Sequence, residues 1–254
     1  MENQINEKSV GISRQGLRTW GLLLLAAGIA GSSLVQNGML DNLSGNALLE
    51  ALEDPTTMMA ATAAIILQVL EACVVPFFTF LLVEGFCHTS NFKNYLLRVL
   101  GVAVLSEVPY NLAVGGTWLV MDSRNPVFGM VLCLVMLYLF RYYSGKTFSR
   151  IAIKVVVLIA AVVWANILGI EHGTCCVIVA AALWATWKKP MFRTLAGCTA
   201  AVCCLMVSMF YLGAPMAFLV IHSYNGEKGE SNRWVNYLSY PVLLLGFGIA
   251  AKFL

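Results

Sequence analysis

The sequence predicts an all-α integral membrane protein, a polytopic bundle of eight or nine transmembrane helices, from three observations. First, 59% of the 254 residues are hydrophobic and only 11% are charged, with a mean hydropathy of +0.79. A soluble domain carries roughly 25% charged residues, and one soluble core of this length could not hide so much apolar surface. Second, apolar runs near the ~20 residues that a membrane helix needs recur along the chain. Third, lysine and arginine gather at alternate ends of these runs.

The lengths of the apolar runs give the helices in order. The predicted spans are 17–36, 58–86, 95–114, 127–143, 150–168, 173–188 and 234–254. The stretch 191–224 is long enough for two short helices, because Gly213 and Pro215 favour a break within it. Two helices there give nine spans in all, and one bent helix gives eight. Residues 1–16 are predicted to be a mobile cytoplasmic tail, and residues 17–254 a single transmembrane domain.

The distribution of basic residues predicts the orientation in the cytoplasmic membrane. With the N-terminus in the cytoplasm and nine spans, nearly every lysine and arginine falls at a cytoplasmic end, and only Arg124 and Lys252 fall outside. The first exterior loop carries acidic residues without a basic one (Asp41, Glu50, Glu53 and Asp54). This pattern follows the positive-inside rule and supports nine spans.

Several functional classes are excluded by composition and motif. A net charge of +3 is too small and too scattered for a nucleic-acid-binding protein. The eight cysteines contain no C-x-x-C pair, and most lie inside apolar spans, so neither a disulfide framework nor a metal site is predicted. The sequence also lacks a P-loop, a dinucleotide-binding glycine motif and a G-x-S-x-G elbow.

Two acidic residues at membrane depth are functional candidates, because a buried charge in a membrane is costly. Glu71 lies near the middle of the second span and is followed by Pro76. Glu107 lies in the third span, just before Pro109 and four residues before Asn111. The acids either line a polar cavity between the two helices or hydrogen-bond to neighbouring helices and hold the bundle together.

Four ionisable residues lie close together around the turn that follows the second span. Glu84 and His88 are four residues apart, so they share a helix face, and the carboxylate could orient the imidazole as a general base. Lys93 and Arg98 follow, and could contact the phosphates of a cytosolic cofactor. Ordinary snorkelling and the positive-inside bias also account for these two cations.

The stretch "PFFTFLLVEGFCHTSNFKNYLLRVLGVAVLSEVPYNLA" (residues 76–113) resembles the signature of the TraX family of bacterial membrane proteins. The positions that match are Glu84, Gly85, His88, Thr89, Tyr95, Arg98, Ser106, Glu107 and Pro109. Four downstream elements are similar to family motifs in the same order: "RNPVF" (124–128), "EHG" (171–173), "YNGEKG" (224–229) and "YLSYP" (237–241). These elements add Asn125, Glu171, His172 and Asn225 as candidate residues.

The resemblance implies acyl transfer in the bacterial cytoplasmic membrane. The family is named for a conjugation protein that acetylates the N-terminus of pilin, and it is grouped with multi-pass acyltransferases that use acyl-CoA. The implied donor is an acyl-CoA such as acetyl-CoA, and the acceptor is pilin or a cell-envelope glycan. His88 would then be the base or a cofactor contact, Glu84 its orienter, and Lys93 and Arg98 the phosphate contacts. The residues expected to line the cavity are Glu71, Glu107, Asn111, Asn125, Glu171, His172 and Asn225.

Two departures from the family pattern concern the expected chemistry. The first helix of the family usually ends with an Asp-His pair, whereas "LLLLAAGIAGSS" (22–33) has neither an acid nor a histidine. The last helix commonly reads Tyr-Pro-x-His, whereas position 243 here is leucine. Either His88 or His172 substitutes, or the chain binds its ligands without turnover. The competing class is a non-enzymatic membrane protein, either a small-solute carrier or an assembly partner.

Overall fold

The computed structural model describes residues 11–33, 45–118, 123–229 and 233–253, and its regular elements there are helices, with strand pairing limited to isolated bridges. The helices are α1 (Arg14–Ile29), α2 (Gly45–Ala51), α3 (Pro55–Glu71), α4 (Val74–His88), α5 (Phe92–Gly115), α6 (Pro126–Tyr142), α7 (Phe148–Ile167), α8 (Gly173–Thr186), α9 (Pro190–Cys203), α10 (Ala217–His222) and α11 (Arg233–Ala250). Short 3₁₀ helices occur at Cys204–Met206, Met209–Met216 and Ala251–Phe253. The predicted all-α fold is confirmed.

Three stretches in the described part of the chain are long and apolar enough to cross a membrane. They are Pro55–His88, Phe92–Gly115 and Phe148–Ile167, and several shorter apolar helices accompany them. Helix α7 is rich in apolar residues, yet only Ala161 and Ala165 of this helix are buried. Its outward face carries exposed apolar side chains such as Val156, Ile159 and Val163, which suits a lipid environment. The chain is a membrane protein, and the count of eight or nine spans stays a prediction.

Two ion pairs define the two ends of the bundle. At one end, here called the Arg14 end, the start of α1 meets the last turn of α4, where Arg14 binds Glu84. At the other, the Arg124 end, the loop before α6 meets α5, where Arg124 binds Glu107. The candidate residues Glu84 and Glu107 therefore lie at opposite ends of the bundle.

The second predicted span, 58–86, is observed as two helices that break at residues 72 and 73. Pro76 lies in the first turn of α4, where its missing N–H costs little, and its ring disfavours a helical carbonyl at Ala72. The Cys73 thiol donates a hydrogen bond to the carbonyl of Gly213 at 2.9 Å, which fixes the 3₁₀ helix Met209–Met216 against the break. Glu71, the last residue of α3, consequently lies where the helix is interrupted inside the bundle.

The break in 191–224 lies earlier than predicted. Helix α9 ends at Cys203, and the chain then runs through 3₁₀ turns that include Pro215 before α10 begins. A side chain at Gly213 would overlap the backbone carbonyl of Val69, so the 3₁₀ helix approaches α3 at a distance that only glycine permits. The α-helix is interrupted from residue 204 to residue 216, and the predicted residues 213–215 lie at the end of this interruption, directly before α10.

The end of the predicted N-terminal tail is part of the folded bundle. Ile12 donates a backbone hydrogen bond to Ser223 at 2.8 Å and accepts one from Asn225 at 3.0 Å. Arg14 donates through its backbone to Glu227 at 2.8 Å and starts α1 three residues before the predicted span. Residues 1–10, the end of the first span at 34–36 and Asp41 lie outside the described residues.

Candidate functional site

Two adjoining cavities lie inside the bundle. The narrow cavity has a volume of about 190 Å³ and is lined mainly by Leu, Val and Phe side chains, with Arg18 and Tyr237 at the Arg14 end. The wide cavity has a volume of about 510 Å³, contains many polar side chains and extends toward the Arg124 end. The residues that line both cavities are Leu25, Glu71, Pro126, His172 and Tyr240. The ionisable members of this shared wall are the candidate centre of the site.

Glu71 reaches the shared wall because glycine faces it on α1. A Cβ atom at Gly28 would overlap both the Cβ and the carboxylate of Glu71, so a larger residue at position 28 would displace the acid. The Glu71 carboxylate has no hydrogen-bond partner among the described residues. Its oxygen atoms are therefore available to a ligand in either cavity.

His172 is held in an unusual backbone conformation between α7 and α8. Its φ of 56° is the only positive value for a non-glycine residue in the described part of the chain, and such residues concentrate at functional sites. Paired backbone hydrogen bonds between Arg124 and the 169–171 loop fix the segment that precedes it. The Nδ1 atom of His172 lies 2.7 Å from the hydroxyl of Tyr211. Burial lowers the pKa of His172, although the nearby Glu171 carboxylate opposes this effect, and a neutral imidazole is favoured.

The wide cavity has an acidic and hydroxylated lining. Glu171 accepts hydrogen bonds at 3.2 Å from the Tyr110 hydroxyl and from the Ser123 hydroxyl. Glu71 lines the same cavity, and no lysine or arginine lines it within the described ranges. The Glu171 carboxylate gives this cavity a negative potential, which disfavours an anionic ligand and favours a neutral or cationic one.

Glu107 and Asn125 hold the loop at the Arg124 end and line neither cavity. Arg124 donates to one Glu107 oxygen at 3.1 Å, and the Asn125 amide donates to the other at 2.6 Å. The same amide nitrogen reaches the carbonyl of Ala103 at 2.8 Å, while its oxygen caps α6 through the N–H of Val127 at 3.0 Å. These contacts position the segment before α6, so the two residues have an evident structural role.

Two further predicted cavity residues also lie outside both cavities. Asn111 is buried in α5, and neither atom of its amide has a partner in the described structure. Asn225 lies at the Arg14 end, where its amide contacts Glu227 and its backbone pairs with Ile12. Of the predicted cavity residues, the structure thus brings Glu71, Glu171 and His172 to the cavities, and not Glu107, Asn111, Asn125 or Asn225.

The Glu84 carboxylate binds Arg14 and Tyr224 rather than His88. Arg14 donates through Nε and Nη2 to the two carboxylate oxygens, both at 2.8 Å, and the Tyr224 hydroxyl donates to one of them. In the part of the chain that the structure describes, His88 Nδ1 lies 2.8 Å from the backbone carbonyl oxygen of Glu84, and the His88 side chain is exposed. Burial, together with the hydrogen bond to Glu84, raises the pKa of Tyr224 to about 12. Tyr224 therefore remains a donor at neutral pH.

The cations nearest the narrow cavity differ from those that the sequence predicted. Lys93 and Arg98 are exposed on α5, line neither cavity and make no hydrogen bond or ion pair with the residues described. Arg18 lines the narrow cavity, and Arg193 packs at the same end of the bundle, 4.8 Å from the ring of Trp187. Both arginines fall inside predicted apolar stretches, where a charged side chain is costly. The same cost that made Glu71 and Glu107 candidates therefore also applies to these two arginines.

Comparison with known proteins gives one match. A family model described as "TraX protein" matches residues 40–250. The matched range contains Glu71, His172, the stretch 76–113 and all four downstream elements that resemble family motifs, whereas α1 lies before it. No curated protein matches the chain, and no solved structure matches it.

Proposed function

Because the chain belongs to the TraX family, we propose that it is a membrane acyltransferase in which an acyl-CoA donor and an acceptor meet at Glu71 and His172. The observation that supports this proposal is the shared wall between the two cavities. A donor that enters the narrow cavity from the Arg14 end and an acceptor in the wide cavity would approach each other at this wall. Membrane acyl transfer needs such a meeting point.

In this scheme His172 is the general base. When its Nδ1–H donates to the Tyr211 hydroxyl, Nε2 carries a lone pair and can take a proton from the acceptor amine or hydroxyl. The acceptor atom then attacks the thioester carbonyl, the bond to the acceptor forms, and the C–S bond breaks. The imidazolium returns its proton to the departing thiolate. The pKa of His172, lowered by burial, favours the neutral form that this role requires.

Glu71 is proposed to replace the acid that the family carries in its first helix. Gly28 lies within the stretch 22–33 that lacks the Asp-His pair, and the Glu71 carboxylate from α3 packs directly against it. A carboxylate at this wall would stabilise the imidazolium formed during transfer and orient a cationic acceptor. The proposed centre thus differs from the His88 and Glu84 pair, because neither of those residues lines either cavity.

The acidic lining of the wide cavity restricts the acceptor. An amine, such as the N-terminus of pilin, or the hydroxyl of a neutral cell-envelope glycan is compatible with this acidic lining, whereas an acidic glycan is not. The proposal includes location in the bacterial cytoplasmic membrane with the N-terminus in the cytoplasm. In this orientation the Arg14 end faces the cytoplasm, so a cytosolic acyl-CoA donor could reach it.

A matched pair of histidine variants tests the proposed centre. Purified protein in nanodiscs would be given radiolabelled acetyl-CoA with amine and glycan acceptors, and labelled product measured. His172→Ala should lower the rate by about 10²- to 10⁴-fold, the usual effect of losing a general base, and added imidazole should restore part of it. His88→Ala makes the same change at an exposed position and should leave the rate within about twofold. If His88→Ala abolished transfer and His172→Ala did not, the reaction would instead take place at the Arg14 end.

A second candidate function is donor binding without turnover. The absence of a histidine at position 243 and of the Asp-His pair in 22–33 favours it. In that case wild-type protein would be stabilised by acetyl-CoA, by about 2.7 kcal/mol at a hundredfold excess over Kd. No acceptor would become labelled, and Glu71→Gln would leave the ligand-induced stabilisation unchanged.

A further inference from the structure

The helices α6 to α9 carry a surplus of positive charge. The sequence contains no acidic residue between Asp122 and Glu171, and none between Glu171 and Glu227. Apart from Arg124, the basic residues of these two stretches are Arg141, Lys146, Arg150, Lys154, Lys188, Lys189 and Arg193. They lie near the end of α6, the start of α7, the end of α8 and the start of α9. None of them forms an ion pair with a residue that the structure describes.

Contacts with α4 place this positive charge at the Arg14 end. Arg141, in the last turn of α6, lies 4.5 Å from the centre of the Phe86 ring. Arg193, in the first turn of α9, lies 5.0 Å from the centre of the Phe80 ring. The two phenylalanines flank Glu84 in α4. The Glu84 carboxylate does not neutralise these cations, because another arginine already binds both of its oxygens.

Two of the cations are half-buried on tryptophan rings. The Nζ atom of Lys154 lies 5.5 Å from the centre of the Trp184 ring, and the guanidinium of Arg193 lies 4.8 Å from that of Trp187. The tryptophans are three residues apart at the end of α8, so they lie on one side of that helix. The Nε atom of Arg193 is buried and has no hydrogen-bond partner among the described residues. Tryptophan is typical of the level at which a membrane protein meets lipid headgroups.

Exposed apolar side chains accompany these cations. Phe148 starts α7 and is 85% exposed, while Met191 and Phe192 in the first turn of α9 are 67% and 58% exposed. A surface that is both basic and apolar matches a phospholipid, which carries an anionic phosphate next to apolar chains. A soluble anion would match the cations but leave the apolar side chains in water.

We propose that the ends of α6 to α9 form a binding surface for the headgroups of anionic phospholipids. Seven basic residues without an acid fall in the range of about four to eight that is usual for such surfaces. Headgroup phosphates would accept hydrogen bonds from cations such as Lys154 and Arg193, and the acyl chains would pack against the exposed apolar side chains. The proposal does not depend on acyl transfer, and it makes the lipid a specific partner of the bundle.

The test measures the preference for an anionic over a zwitterionic headgroup. Protein purified in detergent would be incubated with equal amounts of phosphatidylglycerol and phosphatidylcholine that carry the same acyl chains. The protein would then be captured on affinity resin, and the bound lipids quantified by mass spectrometry. The proteins compared are wild type, Lys154→Gln/Arg193→Gln and the control Lys93→Gln/Arg98→Gln. Lys93 and Arg98 are exposed at the same end and lack aromatic partners among the residues described.

Wild type should bind phosphatidylglycerol in preference. The preference should fall roughly thirtyfold in Lys154→Gln/Arg193→Gln, since each cation near an anionic membrane surface contributes about fivefold to binding. It should change by no more than about threefold in the control variant, whose exposed charges are screened by salt. A wild type without preference, or an unchanged preference in the first variant, would overturn the proposal. Equal losses in both variants would also overturn it, because general positive charge would then account for the binding.

A competitor separates lipids from soluble anions. Excess glycerol phosphate has the anionic group without the acyl chains, so it should not displace phosphatidylglycerol. Displacement would mean that the surface binds soluble anions, and the lipid proposal would fail.

A charge-preserving variant distinguishes lost binding from lost folding. Lys154→Arg/Arg193→Lys keeps both positive charges and should keep the preference for phosphatidylglycerol to within about threefold. The glutamine variant should show the thermal stability of wild type in the absence of phosphatidylglycerol. If the charge-preserving variant lost as much preference as the glutamine variant, with both folded, a charge-based surface would be contradicted.

Discussion

The Arg14–Glu84 pair offers the sharpest test of whether Glu84 is structural or catalytic. The Glu84 side chain is 3% exposed and that of Arg14 is 26% exposed. Removing one partner of a buried ion pair costs about 3–5 kcal/mol, because an unpaired charge is left buried. Water reaches the Arg14 side of this pair, so the lower figure applies. We expect Arg14→Gln to lower the free energy of unfolding by about 3 kcal/mol.

The assay is thermal unfolding of the purified protein in detergent at neutral pH. For a chain of this size, about 3 kcal/mol corresponds to a decrease in Tm of about 6–12 °C. The double variant Arg14→Gln/Glu84→Gln should recover much of the loss, since it leaves two neutral amides and no buried charge. Lys93→Gln removes an exposed charge from the same end and should change the free energy of unfolding by no more than about 0.5 kcal/mol.

Two results would refute this reasoning. A loss below about 1 kcal/mol for Arg14→Gln would mean that water already satisfies Glu84. A double variant less stable than the single one would mean that the Glu84 charge is stabilised by other groups. Either result would free Glu84 for the catalytic role predicted from its spacing to His88.

Two predictions concern orientation and packing. In a cysteine-free background, an impermeant maleimide added outside should label Glu50→Cys and not Asn91→Cys; labelling of position 91 without position 50 would reverse the orientation. Gly28→Ala should cost about 1–3 kcal/mol and reduce transfer, because its methyl group would overlap Glu71. Gly101→Ala, with open space around it, should be neutral or stabilise by about 0.5–1 kcal/mol, and equal effects of the two changes would contradict the close approach.

The helices were predictable because their main determinant is local. An apolar run bounded by polar residues identifies α5 and α7 to within three residues at either end. The breaks were less predictable because they depend on tertiary contacts. Gly213, for example, packs against the backbone carbonyl of Val69, which lies far away in sequence. The local sequence around Gly213 does not show this contact.

The same distinction separates the site residues that were predicted from those that were missed. Glu71 was identified because an acid inside an apolar run is costly wherever the chain folds. The pairing of Glu84 with His88 was expected from i,i+4 spacing, yet Arg14, 70 residues away in sequence, binds the carboxylate instead. Spacing shows which side chains can meet, but it cannot show which distant group competes for them.

Gly28 in α1 and Glu71 in α3 are two parts of one packing arrangement. The Cβ of Glu71 itself would overlap a Cβ at Gly28, so rotating the carboxylate away cannot make room for a larger residue. Helix α3 can approach α1 this closely only because position 28 is glycine. The proposal that Glu71 supplies the acid of the site therefore depends on glycine at position 28, because a larger residue there would displace the Glu71 side chain.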